Sequence, residues 1–267
     1  MNGKSIRLGL IGKDVSKSNS PKIHTFILQE WGYACDYESF SVGADEFDTA
    51  MRTLLGDFDA FNITIPYKKD ALEYVEQTYG DAFVCGAVNS VVCQTRAGYN
   101  TDGIGFLHML ANAGVVVAGK KVLVLGAGGS GSTSALALKN AGASVHMYRR
   151  NQTELLEVCA RLGVTPTDNP YVGGYDIVIN TTGVGMHDTE GKSPVGIEAF
   201  RGASWAIDLI YTPKESEFLR LAKLQGLQTL NGEAMLFYQA YFADCLYVGR
   251  TPNADEAKTL YEKFVRE

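Results

Sequence analysis

Long apolar runs, cysteine pairs and basic tracts are all missing from this chain, and each absence removes a class of function. No apolar stretch approaches the ~18 residues needed to cross a bilayer. The opening MNGKSIRLGLIGK has no apolar h-region of the kind a secretory signal carries. A cytoplasmic protein with no membrane partner is therefore expected. The five cysteines, Cys35, Cys85, Cys93, Cys159 and Cys245, are odd in number, scattered and free of any CxxC pair. Neither a disulfide framework nor a metal site is expected, and most of them should be core thiols. A formal charge of -6 without clustered Lys or Arg argues against nucleic acid as the main partner. What is present is 267 residues, 46% hydrophobic and 20% charged, enough to bury one large core or two medium ones. A small molecule is the expected partner.

Apolar stretches of strand length alternate with longer stretches of helical period, the pattern of βα units and a largely parallel sheet. One set places strands at Ile6 to Ile11, Cys35 to Ser41 and Ala60 to Ile65, and helices at Pro21 to Trp31, Asp45 to Leu55 and Tyr67 to Gln77. In AVNSVVCQTRAGYN, the Ala97-Gly98 pair reads as a hairpin turn. An amphipathic helix, Ile104 to Ala113, leads to a second set, KVLVLGAGGSGSTSALALKNAG, SVHMYRR, YDIVINTT and WAIDLIY, with a doubly wound pattern. The final helices, Gly232 to Val248 and Asn253 to Val265, need an apolar partner and are expected to pack back on the first set.

Gly126, Gly128 and Gly131 form G-x-G-x-x-G directly after the strand Val122 to Leu125 and before the helical run Ser134 to Asn140. The first glycine permits a tight turn, the second lets backbone approach a pyrophosphate, and the third allows close helix packing. The freed N–H groups of the helix bind the anion. The alternative is an ordinary strand-to-helix turn. An NAD enzyme carries Asp or Glu at the end of the next strand, yet no acidic residue lies between Gly126 and Thr153. That strand ends instead in Tyr148-Arg149-Arg150, and two guanidiniums suit a 2′-phosphate. NADP is the expected cofactor.

Ser18 and Ser20 precede Pro21, which makes Ser20 a natural N-cap and also puts two hydroxyls beside a helix N-terminus, where a carboxylate is favoured. In FNITIPYKK, alternation puts Phe61, Ile63 and Ile65 on one face of a strand and Asn62 and Thr64 on the other. Lys68 and Lys69 then fall in the first turn of the expected helix, against its dipole. Such placement points to another role, with a plain surface lysine as the alternative. Asn89 lies in a β segment, and Asp102, in Asn100-Thr101-Asp102-Gly103, taken alone reads as an N-cap ahead of a catalytic group.

The pieces SNSPKIH, FNITIPYKK, GAVNS, YNTDGIGF, VLGAGGSG, INTTGVGM, DLIYTP and MLFYQA, in this order over nearly the whole chain, resemble the shikimate dehydrogenase family. That resemblance implies an α/β protein with an N-terminal α/β substrate domain, residues 1–102 completed by helices at 238–267. A C-terminal Rossmann-like, doubly wound NADP-binding domain would occupy 103–237. It implies that Ser18 and Ser20 bind the substrate carboxylate and that Thr64, Asn89, Asp102 and Gln239 hold ring hydroxyls, with a further contact from Tyr211. Lys68 would move the proton together with Asp102. Gly126, Ala127, Gly128, Gly129 and Ser130 would take the pyrophosphate, Arg149 and Arg150 the 2′-phosphate, and Thr181, Leu209 and Gly232 the nicotinamide side. The implied reaction is NADPH-dependent reduction of 3-dehydroshikimate to shikimate on the route to chorismate. Quinate or an amino analogue, and a non-catalytic NADPH-binding sensor on the same fold, stay open, as does monomer against homodimer. Lys17, Tyr148 and Glu233 depart from the family pattern, in which His, Asn and Leu are usual.

Overall fold

The computed structural model describes residues 4–267 and divides them between two compact units, one formed by residues 4–105 with 236–267, the other by 106–235. In the first unit the alternating apolar run of β1 (Lys4–Gly12) buries Ile6, Leu8, Leu10 and Ile11. It is followed by α1 (Ser20–Glu30), β2 (Tyr33–Ser41), α2 (Phe47–Asp57) and β3 (Ala60–Ile63). Helix α2 forms two residues later than the periodicity placed it, and it buries Phe47, Ala50, Met51 and Leu54, an i, i+3, i+4, i+7 stripe. Short elements complete the unit: β4 (Gln77–Thr78), α3 (Asp81–Cys85), β5 (Ser90–Val92), β6 (Ala97–Tyr99) and the start of α4 (Asp102–Asn112). The sheet order is β2-β1-β3-β5-β6-β4, with β1, β2 and β3 parallel and β5 antiparallel to both of its neighbours.

Three sequence expectations fail here for identifiable reasons. No α-helix spans Tyr67 to Gln77; a turn leads into a 3-10 helix at Asp70–Tyr74. The Lys68 carbonyl, which a helix would use internally, accepts from the Val88 N–H at 2.7 Å instead. Lys68 and Lys69 therefore do not oppose a helix dipole. Strand β3 stops at Ile63, so Ile65 lies outside the alternation and is 59% exposed, while Asn62 is buried. Ala97 and Gly98 are strand residues, and the chain reverses at Cys93–Arg96, with Arg96 at φ 47°. Gly98 is needed for space, since a Cβ there would come within 2.9 Å of the Val88 side chain.

The second unit is a six-stranded parallel sheet in the order β12-β11-β10-β7-β8-β9. Its elements are β7 (Lys121–Leu125), α5 (Gly129–Asn140), β8 (Ser144–Tyr148), α6 (Gln152–Leu162), β9 (Thr165–Thr167), β10 (Ile177–Asn180), β11 (Trp205–Asp208), α7 (Glu217–Leu224) and β12 (Gln228–Asn231). The chain winds outward from β7 through β8 to β9, then resumes at β10 on the other side of β7. That reversal is the switch point at which doubly wound sheets place ligands. The α/β expectation holds for both units. Helices α8 (Glu233–Val248) and α9 (Ala254–Phe264) follow, and their residues from Leu236 onward belong to the first unit. There the Tyr247 hydroxyl donates to the Phe61 carbonyl, and Phe264 packs edge-on against Phe26 of α1. All five cysteines are free thiols and all but Cys35 are buried. Among the described residues no helix is long and apolar enough to cross a membrane.

Candidate active site

In the first unit, β1 and β3 run parallel and β5 and β6 alternate in direction, so the ends of β1, β3 and β6 and the start of β5 share one edge of the sheet. The segments that leave this edge carry Ser18 and Ser20, Thr64 and Lys68, Asn89, and Asp102. Residues scattered over the first hundred positions thus collect at one place because the topology returns the chain there four times.

The cluster centres on Lys68, whose ammonium donates to Asp102 Oδ2 at 2.5 Å. The side chains are 12% and 7% exposed, so the charge pair is largely withdrawn from water. Asn89 donates from Nδ2 to the other Asp102 oxygen at 2.8 Å, while its Oδ1 accepts from the Thr101 N–H and the Ser90 hydroxyl, both at 2.9 Å. This pattern fixes which way the Asn89 amide faces. Gln239 on α8 reaches the cluster through Oε1, 3.4 Å from both Asn89 Nδ2 and the Thr101 hydroxyl. Helix α8 approaches so closely because Gly105 has no side chain; a Cβ there would stand 2.6 Å from the Gln239 backbone nitrogen. Thr101 is buried in the middle of this network, a place that the sequence does not announce, since a turn threonine carries no mark of its partners.

Asp102 begins α4, with its N–H donating to Asn100 Oδ1 at 3.1 Å, so it is the first helical residue and not the N-cap. Ser20 likewise lies inside α1, where Asn19 occupies the cap position without a side-chain cap bond. The Ser18 hydroxyl instead accepts from the Ser20 N–H at 3.2 Å and donates to the Ser20 hydroxyl at 3.1 Å. The Ser18 hydroxyl thus satisfies the first N–H of α1, and the Ser20 hydroxyl satisfies no helix N–H. Thr64 sits in the turn that carries Lys68, its carbonyl accepting from the Tyr67 N–H. Asn62 points elsewhere: its amide bonds to the Tyr37 hydroxyl and to Ser90.

The second unit holds the remaining candidates at the carboxyl ends of its parallel strands. Gly126 follows β7 at φ +111°, a conformation L side chains rarely adopt. A Cβ on Gly131 would stand 2.5 Å from the Gly126 carbonyl, so only glycine lets α5 start this close to the turn. Gly128 caps α5 without a side-chain bond and faces open space. The first-turn N–H groups of α5, which no intrahelical carbonyl can take, the open space over Gly128, and Arg149 and Arg150 just after the adjacent β8 fit a dinucleotide phosphate. The Thr181 hydroxyl donates to the Leu125 carbonyl at 2.8 Å beneath this loop. Gly232 packs against the Leu209 backbone, where a Cβ would be only 2.1 Å from the carbonyl oxygen. Tyr211 follows β11 in this unit, in a different unit from the other residues expected on the substrate.

Three departures from the family pattern find places. Lys17 and Glu233 are exposed, Glu233 in the first turn of α8 where a carboxylate suits the dipole. Tyr148 ends β8 half-buried. The stretch without acidic residues stops one position too soon to describe the site, because Glu154 returns to form an ion pair with Arg149.

A parallel α/β sheet with a glycine-rich turn at its switch point, in one chain with a buried lysine–carboxylate cluster, defines a dinucleotide-dependent enzyme class. Residues 10–91 match the shikimate dehydrogenase substrate binding domain family. A shikimate dehydrogenase (NADP(+)) of Shouchella clausii is 33% identical over 259 residues, covering 92% of this chain and 94% of the relative. One from Clostridium botulinum is 35% identical, covering 88% and 93%. Among solved structures, shikimate 5-dehydrogenase from Thermus thermophilus in complex with NADP(H) and shikimate superposes with a TM-score of 0.88 at 30% identity, covering 97% and 99%. The chain belongs to the shikimate dehydrogenase family.

Proposed function

We propose that this chain is an NADP-dependent oxidoreductase that interconverts 3-dehydroshikimate and shikimate on the route to chorismate. The observation that carries the reading is the withdrawn Lys68–Asp102 pair, whose carboxylate is fixed from its other side by Asn89. NADPH, when bound, supplies the hydride that a ring ketone needs at carbon. Lys68, as an ammonium, donates to the ketone oxygen and yields its proton as the alcohol forms; in the reverse direction the neutral amine takes the hydroxyl proton. Asp102 orients Lys68 and a ring hydroxyl together, which counters the developing charge with groups already in position. Ser18 and Ser20 hold the substrate carboxylate beside the N-terminus of α1, and Thr64, Asn89 and Gln239 hold ring hydroxyls.

On the cofactor side, Gly126 to Ser130 take the pyrophosphate, Arg149 and Arg150 the 2′-phosphate, and Thr181, Leu209 and Gly232 line the nicotinamide. The test follows NADPH absorbance with shikimate and with quinate, each offered NADP and NAD. Shikimate with NADP should react fastest and quinate slowly or not at all. A chain that binds NADPH yet oxidises neither alcohol is a sensor, and the enzymatic reading falls.

A further inference from the structure

The end of β8 holds a carboxylate among its arginines. Asn151 caps α6, accepting the Glu154 N–H on its Oδ1 at 3.3 Å, and its amide donates back to Glu154 Oε1 at 2.8 Å. This reciprocal pair of bonds, one to the Glu154 N–H and one from the Asn151 side-chain amide, turns the Glu154 side chain toward the strand end. Its second oxygen, Oε2, accepts from Arg149 Nη1. The Arg149 and Glu154 side chains are 34% and 49% exposed, so the pair is reachable from solvent.

At the end of the second strand of a dinucleotide-binding unit, an arginine accommodates a 2′-phosphate and a carboxylate accepts a ribose 2′-hydroxyl. Both chemistries stand here in contact. A phosphate approaching Arg149 must displace Glu154 or share the guanidinium with it, and the displaced carboxylate repels the phosphate. A ribose without the 2′-phosphate meets neither penalty and can donate its hydroxyl to Glu154. Exposed ion pairs are worth little, so displacement is affordable and the effect is one of degree.

We propose that Glu154 is a specificity-determining residue that narrows the advantage of NADP over NAD by competing with the 2′-phosphate for Arg149. This rests on the reading that the end of β8 takes the adenosine end of the cofactor.

The test uses the full chain, with 2′,5′-ADP and 5′-ADP as probes in calorimetry, and the variant Glu154→Gln. Glutamine keeps the backbone N–H that Asn151 caps and a side-chain oxygen to accept from the Asn151 amide, so α6 retains its start. The variant should bind 2′,5′-ADP about 2- to 5-fold more tightly, the scale of one exposed charge contact. Binding of 5′-ADP should stay level or weaken, and the ratio of NADP to NAD efficiency should rise in parallel. In an Arg149→Ala background the same change should give a smaller gain. Unchanged or weaker 2′,5′-ADP binding by Glu154→Gln overturns the proposal, since Glu154 would then be inert or would orient Arg149 for the phosphate. If the native chain prefers neither probe, the 2′-phosphate reading of Arg149 falls first and the competition falls with it.

Discussion

His24 Nδ1 lies 2.6 Å from Asp244 Oδ1, and both side chains are fully buried although 220 positions separate them. The imidazole stacks with the rings of Tyr37 and Tyr247, and His24 Nε2 and Asp244 Oδ2 have no hydrogen-bond partner among the described residues. His24 lies one turn beyond Ser20 on α1 and Asp244 lies beyond Gln239 on α8, so the pair ties together two helices that carry candidate substrate residues. Burial pushes the Asp244 carboxyl up to about 6, against the pull of His24.

Because one partner left alone in a dry site is costly, Asp244→Leu should lower stability by about 3 kcal/mol. The double change His24→Phe with Asp244→Leu should recover most of that loss, since apolar groups of similar volume replace a buried pair at little cost. Urea denaturation midpoints decide the matter. A single variant as stable as the native chain would show that the pair does not hold the helices.

Lys68→Ala should cut turnover roughly 10² to 10⁴-fold, the range for a positioned acid or base, with little change in NADP affinity. Asn89→Ala should act through Asp102 and give a smaller loss that includes a raised KM for shikimate. Near-normal turnover in Lys68→Ala would remove the lysine from the proton path.

The Ser18 hydroxyl accepts the first N–H of α1, whereas the Ser20 hydroxyl satisfies no helix N–H, so removing the Ser20 hydroxyl should leave the helix intact and removing that of Ser18 should cost it one terminal bond. Ser18→Ala and Ser20→Ala should each weaken shikimate binding by roughly 1 to 2 kcal/mol, the loss of a hydrogen bond to a charged group. Melting temperature should hold steady in Ser20→Ala and drop only slightly in Ser18→Ala, while the shikimate KM rises in both. A fall in melting temperature with an unchanged KM would make the pair structural.

Asp208 ends β11 fully buried, and burial raises its carboxyl to about 6 in spite of bonds from Ser216, the Ile210 N–H and Asn180. In the unfolded chain it titrates near its ordinary 3.8. Between those values the folded state binds the proton more tightly, so stability falls as pH rises from about 4 to about 6. The loss from this one group is on the order of 3 kcal/mol. Asp208→Asn should remove that part of the slope, leaving the share due to Asp244. Urea unfolding of both proteins at the two ends of the window gives the difference, and parallel curves would refute the assignment.

Local chemistry was legible in the sequence wherever the reason for a residue is local. The glycines at 126, 128 and 131 announce a turn, an open approach and a tight helix start, and the structure uses Gly126 and Gly131 in those ways. Gly98 misled because its reason is distant: it makes room for Val75 and Val88, and a lone glycine beside an alanine looks like a turn. The helix expected from Tyr67 failed for a related cause, since Tyr67, Ala71 and Leu72 have helical spacing but the Lys68 carbonyl is claimed by Val88 twenty residues on. Long-range polar pairs such as His24 with Asp244 leave no periodic trace. Glu154 is legible too: it stands five positions after Arg149, three after the Asn151 cap of the following helix, where a first-turn carboxylate turns back toward the strand end.

The first unit is discontinuous in sequence, and this orders its assembly as the chain is synthesised. Lys68, Asn89 and Asp102 leave the ribosome early, but Gln239 and Asp244 emerge only after the whole of residues 106–235 has been made. At typical elongation rates that interval is on the order of ten seconds. The second unit, one unbroken stretch, has its entire sequence available within it. Throughout that time His24 has no carboxylate to meet and Thr101 no glutamine. The early segment must wait, open along the faces that α8 and α9 will cover, until the last helices arrive to close it.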